Sequence, residues 1–357
     1  MDQFFTSDFI SDSAKAALGA AIIGLIFGFF SQRSQFCLRA ATVEVWRGKA
    51  GGKLAIWLLA FAAAMVSVQA LVALNLIPLE DVRQLASVGS LSGALIGGAL
   101  FGSGMILARG CASRILVLSA TGNLRALVSG LLLTVVAQSS LRGILSPVRE
   151  QLSSLWLIQP EQRNVAEYLP EHFGIILGLS LIIMALVLAA RTHVGVYKIV
   201  GSIIVGITIA GGWLYTSQLS AASFETIAIE SITFTGPSAN TLMALINEPS
   251  LPLSFGIGLV PGVFAGSFIA SILSGSFKIE RFSVETGMGR YISGAVMMGF
   301  GGMLAGGCAV GAGLTGVSVF SLTAIVALSA MWVSAGITDM VVDRDKGFRF
   351  GALLKTV

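Results

Sequence analysis

Hydrophobic positions along this chain gather into long unbroken runs, without the alternation of a half-buried strand or the one-sided stripe of a soluble helix. A helix needs roughly 20 apolar residues to cross a bilayer core. Nine runs meet that need, at about 16–31, 54–77, 88–108, 126–141, 173–190, 199–216, 254–275, 291–306 and 320–337. The last two share a stretch, residues 291–338, that holds no charged side chain. The glycine-rich "GGCAVGAGLTG" (306–316) is the expected hinge between them. The pattern predicts an all-α integral membrane protein with about nine transmembrane helices.

The polar positions then sort the loops. If nine spans alternate, loops 33–53, 109–125, 191–198 and 278–290 share one side with the C-terminal tail, and that side takes 17 of the 22 Lys and Arg. Basic loops stay cytoplasmic, so the N-terminus is expected outside and the C-terminus inside. Segments 143–172 and 217–253 become long external connections, and "FTGPSAN" (234–240) reads as a turn. Trp46, Trp57, Trp156, Trp213 and Trp332 fall mostly near span ends, where interfacial anchoring is expected. The opening "MDQFFTSDFISDSAK" has acids where a basic signal-peptide region would lie, so no signal peptide is expected.

Composition sharpens this picture. Charged residues make up 11% of the chain, against about 25% in soluble domains. The 43 glycines suit helices that pack closely in lipid, where small residues let backbones approach. A lipid bilayer is the expected surrounding, and no nucleic-acid partner is expected.

The same short pattern recurs. "GAAIIGLIFGFFSQRSQFC" (19–37) and "GALIGGALFGSGMILARGC" (93–111) agree at 7 of 19 positions without gaps. Residues 102–112 and 299–309 agree at 7 of 11, including Gly110/Gly307 and Cys111/Cys308. A fainter copy, "GLVPGVF" (258–264) beside "GLIFGFF" (24–30), would place Ser271 where the first copy has Cys37. In the alternating order the third span and the eighth run in opposite directions. One motif in two directions predicts pseudo-symmetric inverted repeats, with short broken or re-entrant helices meeting near the midplane. The expectation is a single transmembrane domain over 1–357. Its repeat-like halves, about 14–142 and 250–338, are joined by spans 173–190 and 199–216 and the two external segments.

All three cysteines lie in that pattern, each at or just past an expected helix break. Their odd number and apolar setting argue against a disulfide framework. Broken helices expose N–H groups, which are tolerated at membrane depth where they face protein or a polar cavity, and which favour anions. A thiol adds a weak donor and a polarizable sulfur. Together they suit a soft, sulfur-bearing anion. Arg33, Arg39, Arg109 and Arg114 flank Cys37 and Cys111, either as cytoplasmic anchors or to draw the anion. Cys308 has no arginine near it in sequence. "GAGLTG" (311–316) spells a dinucleotide fingerprint but lacks the strand and acid that would support it. His172 and His193 are isolated. No cofactor, metal site or catalytic residue is expected.

Three stretches, "GLIFGFFSQRSQFCLRAA" (24–41), "GGALFGSGMILARGCASR" (97–114) and "GGMLAGGCAVGAGLTG" (301–316), resemble the YeeE/YedE family of bacterial inner-membrane sulfur transporters. The resemblance implies import of thiosulfate through cavities on both faces that narrow at the middle. It implies that Cys37, Cys111 and Cys308 line the path and pass the ion by successive hydrogen bonds. It also implies a cytoplasmic TusA-like sulfur-carrier partner. Arg33, Arg109, Arg114, Gly110, Gly307 and Ser271 are candidate supporting residues. Three alternatives stay open: another sulfur or selenium cargo, a membrane sulfurtransferase working through a persulfide, and a soft-metal carrier.

Overall fold

The computed structural model describes residues 11–170, 172–223, 225, 227–247, 252–280 and 287–344. Among the described residues, eight helical stretches are long and apolar enough to cross a membrane. The ninth predicted crossing is a 17-residue helix, Met288–Leu304, packed among them. In chain order the helices longer than a single turn are α1 (Asp12–Ser34), α2 (Leu38–Trp46), α3 (Gly52–Ala73), α4 (Leu91–Leu107), α5 (Ala112–Ala120), α6 (Leu124–Arg142) and α7 (Ser146–Ser154). Then come α8 (Phe173–Arg191), α9 (Val196–Ala222), α10 (Thr235–Asn247), α11 (Phe255–Leu273), α12 (Met288–Leu304) and α13 (Leu322–Asp339). A π-helical turn, Gly311–Gly316, occupies the expected hinge.

Small residues decide which helices touch. Gly258, Gly262 and Gly266 of α11 lie on the backbone of Ala17, Ala21 and Leu25 of α1, so close that any Cβ would strike a carbonyl. Rising numbers meet rising numbers, so α1 and α11 run parallel. Gly93, Gly97 and Gly104 of α4 face Leu304, Gly301 and Gly294 of α12. Here one series rises as the other falls, and the pair is antiparallel. By the same reading α13 is parallel to α4, with Gly98 on Ala327 and Gly102 on Met331. Helix α8 is antiparallel to α3, with Gly174 on Gln69 and Gly178 on Val66. Each relation is the one that nine alternating crossings require.

Two expectations need correction. "FTGPSAN" is not a turn: helix α10 begins at Thr235, with Thr235, Pro237, Ala239 and Ala244 buried. Proline within a first turn lacks an N–H that has no intrahelical partner there, so it starts a helix as readily as it bends a loop. Nor do all the tryptophans form an interfacial belt. Trp213 is fully buried and Trp57 nearly so, with Trp57 stacked on Phe61 and edge-on to Trp332.

The segment after α6 folds back over the start of α4. Gly89–Ser90 (β1) pairs antiparallel with Leu157–Ile158 (β2), and Ser92 Oγ donates to the Leu152 carbonyl at 2.8 Å. At the far end of the bundle α13 is pinned by charge. Arg47 donates twice to Asp339, at 2.8 and 2.9 Å. Arg290 does the same to Asp343, at 2.8 and 2.9 Å. Hydrogen bonding to Asp339 holds the Arg47 guanidinium pKa above its ordinary value.

Candidate substrate pathway

Each cysteine follows a helix end of one design. A residue in the left-handed region stands two positions before it: Gln35 at φ 60°, Arg109 at φ 56° and Gly306 at φ 75°. The next N–H reaches back to a carbonyl of the preceding turn, Phe36 to Ser31 at 3.2 Å, Gly110 to Met105 at 3.0 Å and Gly307 to Gly302 at 3.0 Å. This is the Schellman closure, which satisfies orphan carbonyls and stops the helix. Gly110 and Gly307 therefore stand at one equivalent position, the closing residue of the break. Cys37 and Cys111 then occupy the N-cap positions of α2 and α5, and Cys308 precedes the π-helical turn.

The sulfurs sit where helix N–H groups converge. The Gly311 N–H donates to Cys308 Sγ at 3.4 Å. Cys37 and Cys111 stand in the same three-residue relation to Ala40 and Arg114, without a capping bond. Cys111 is buried and in contact with Ser113 Oγ at 3.3 Å. Cys308 is fully buried, with Thr233 Oγ1 at 3.9 Å.

The three thiols do not form one cluster. Cys37 and Cys111 face each other at one end, with Arg114 and Arg39 beside Cys37. Cys308 belongs to the other end of the α4–α12 pair, where Ala305 lies on Gly97, whereas Ala108 lies on Gly294. At a helical rise of about 1.5 Å per residue, the two breaks are roughly 16 Å apart along α4. That is less than the ~30 Å hydrocarbon core, so both breaks fit within membrane depth.

The flanking arginines divide. Arg114 donates to Gln32 at 3.3 Å, beside the thiol pair. Arg33 lies over the Tyr197 ring at 5.6 Å, an anchoring contact between α1 and α9. Arg109 is exposed at the break itself, and Arg39 lies 3.7 Å from Asp343. Ser271 is not placed as a cysteine counterpart. On α11 the left-handed residue is Gly275, at φ 64°, and Ser276 closes back onto the Ser271 carbonyl at 2.9 Å. Ser271 thus matches Ser31, six positions before Cys37, and its hydroxyl donates to Phe268 at 2.7 Å.

Near Cys308 the protein opens into two adjoining cavities of about 270 and 200 Å³ that share Gln84, Arg149, Arg163, Met303 and Gly306. Thr233 and Gly307 line the larger one. Sequence reasoning missed Thr233, Ser113 and Arg163. Ser113 carried a local signal, two residues past Cys111, but Thr233 and Arg163 come from connecting segments that only the fold brings to the site.

A family model described as sulphur transport matches residues 33–337. The thiosulfate transporter TsuA of Escherichia coli is 27% identical over 328 residues, covering 83% of this chain and 86% of that protein. The thiosulfate transporter TsuA of Spirochaeta thermophila is 27% identical over 324 residues, covering 85% and 92%.

Proposed function

The chain belongs to the sulphur-transport family, YeeE/YedE, and we propose that it carries thiosulfate across a bacterial inner membrane. The observation that carries this reading is the repeated helix break: three cysteines presented with helix N–H groups, two at one end of the α4–α12 pair and one at the other. Both similar proteins are thiosulfate transporters. Thiosulfate has a soft terminal sulfur and three oxygens, and it fits a site of thiols and N–H donors at both ends. The thiols donate weakly to its sulfur, and backbone N–H groups hold its oxygens. The ion passes between the Cys308 level and the Cys37–Cys111 level by successive hydrogen bonds. Loop charge supports an orientation with the Cys308 end outside and the Cys37–Cys111 end in the cytoplasm. There a TusA-like sulfur carrier would collect the cargo.

Uptake of radiosulfur-labelled thiosulfate into cells lacking other importers tests the reading. Wild type is expected to import, and Cys111→Ala and Cys308→Ala to lose most of that uptake at equal expression. Normal import by both variants would sink the relay. One observation favours a second reading, a sulfurtransferase: Cys37 and Cys111 lie at the same end of the α4–α12 pair, with Arg114 next to that site, and arginine charge favours a thiolate. Mass spectrometry of thiosulfate-treated protein decides, since a persulfide adduct on Cys37 or Cys111 belongs to the enzyme and not to a passive relay.

A further inference from the structure

The cavities beside Cys308 hold a set of polar groups with no partner. Arg163 is 7% exposed and Thr235 1% exposed. Arg163 Nε, Thr235 Oγ1 and Gln84 Oε1 are all buried and make no hydrogen bond. All three side chains line the larger cavity. Buried polar atoms are almost always paired, so three orphans among the residues around one cavity call for a small local rearrangement onto a ligand or water.

Arg163 is built in and is not a stray surface side chain. One Nη donates to the Ser87 carbonyl and hydroxyl, and the other to Thr323 Oγ1 at 3.1 Å. The guanidinium is fixed on those two edges, and its Nε–H, packed beside Gly89, has no hydrogen-bond partner. Burial pushes its pKa down from the ordinary value. Arginine stays protonated even so, which leaves a buried positive charge in want of an anion. Arg149 lines the same space but is already engaged with the Ser140 carbonyl and Glu150. Glu230 also lines the larger cavity.

We propose that this cavity is a thiol-free subsite for a tetrahedral sulfur oxyanion, in which Arg163 and Thr235 take the oxygens before the sulfur reaches Cys308. The inference rests on the transport reading above and adds the place where cargo first docks. Thr235 supplies a hydroxyl donor, and the Gln84 amide can turn to present its NH2. Thr233 lines the same cavity and lies 3.9 Å from Cys308 Sγ, so it joins the subsite to the thiol. The two stations read different ends of the cargo. The arginine station recognises oxygens, and therefore sulfate as well as thiosulfate. The cysteine station recognises the soft sulfur.

The test combines uptake with binding, the latter followed as thermal stabilisation of purified protein by thiosulfate and by sulfate. Arg163→Gln is expected to raise the half-saturating thiosulfate concentration by about tenfold or more, the size of losing a charged hydrogen bond, with maximal uptake nearly kept. Cys308→Ala is expected to lower maximal uptake while sulfate still stabilises the protein. Sulfate is expected to stabilise wild type and to leave Arg163→Gln unmoved. If Arg163→Gln does not fold, Thr235→Val removes one donor from the same cavity and should raise half-saturation severalfold. Unchanged half-saturation in whichever of these variants folds overturns the subsite, and the cavity then holds water. Wild type that binds sulfate through Arg163 but imports no thiosulfate overturns the transport reading instead, and keeps the subsite for another oxyanion.

Discussion

At the scale of single residues, the three breaks differ in what occupies the left-handed position. Gly306 adopts φ 75° freely, whereas Gln35 and Arg109 hold the same conformation with a Cβ present, at a cost of roughly 1–2 kcal/mol each. Gly306→Ala should therefore lower stability by about that amount, read as an earlier thermal unfolding transition in detergent. A Gly306→Ala protein that melts with wild type would show that this break does not depend on the left-handed residue. The thiol itself can be probed by Cys308→Ser. A hydroxyl keeps a donor but loses the polarizable surface, so uptake should fall while the protein remains folded. Undiminished uptake would mean that softness is not what Cys308 contributes.

Helices and their ends show where the sequence was legible. Runs of apolar residues located the eight helices long enough to cross and the shorter α12, because in lipid the length of a hydrophobic stretch has a direct physical meaning. The match between Cys111 and Cys308 was legible for another reason. The Schellman closure fixes the cysteine two residues after the left-handed position at each break, so an ungapped alignment stays in register there. The Ser271 match failed because glycine-rich apolar sequence matches easily, six residues out of phase with the real break at Gly275. Helix α10 was misread because glycine and proline carry the same letters in a turn and in a first helical turn. The Arg163 cavity gave no sequence signal, since Gln84, Arg163 and Thr235 lie in three separate segments. Close helix contact is open to a direct test. Gly262→Val would drive a side chain into the Ala21 carbonyl, and Gly211→Ala meets nothing within 4 Å. The first should abolish a monodisperse elution peak and the second should leave it unchanged; equal behaviour would mean α1 and α11 are not held backbone to backbone.

For the whole molecule, the relative helix directions agree with alternating crossings, while the absolute direction follows from loop charge alone. A membrane-impermeant thiol reagent settles it, because Cys37 is the partly accessible cysteine of the three. It should react from the cytoplasmic face in inverted vesicles and resist reagent in right-side-out ones, and the reverse pattern would turn the protein over. One further consequence is electrical. Helix α12, the π-helical turn and α13 as far as Thr338 contain no ionizable acid or base other than Arg290, Tyr291 and Cys308, so that wall offers no carboxylate to carry a compensating proton. Thiosulfate is a dianion, and two negative charges moving into a cell polarised by 100 mV climb about 4.6 kcal/mol. Where no proton or cation crosses with it, inward flow persists only while the cytoplasm keeps free thiosulfate roughly two-thousandfold below the outside concentration. The carrier would serve as a conductor, its current set by the membrane voltage and by how fast metabolism drains the inner terminal.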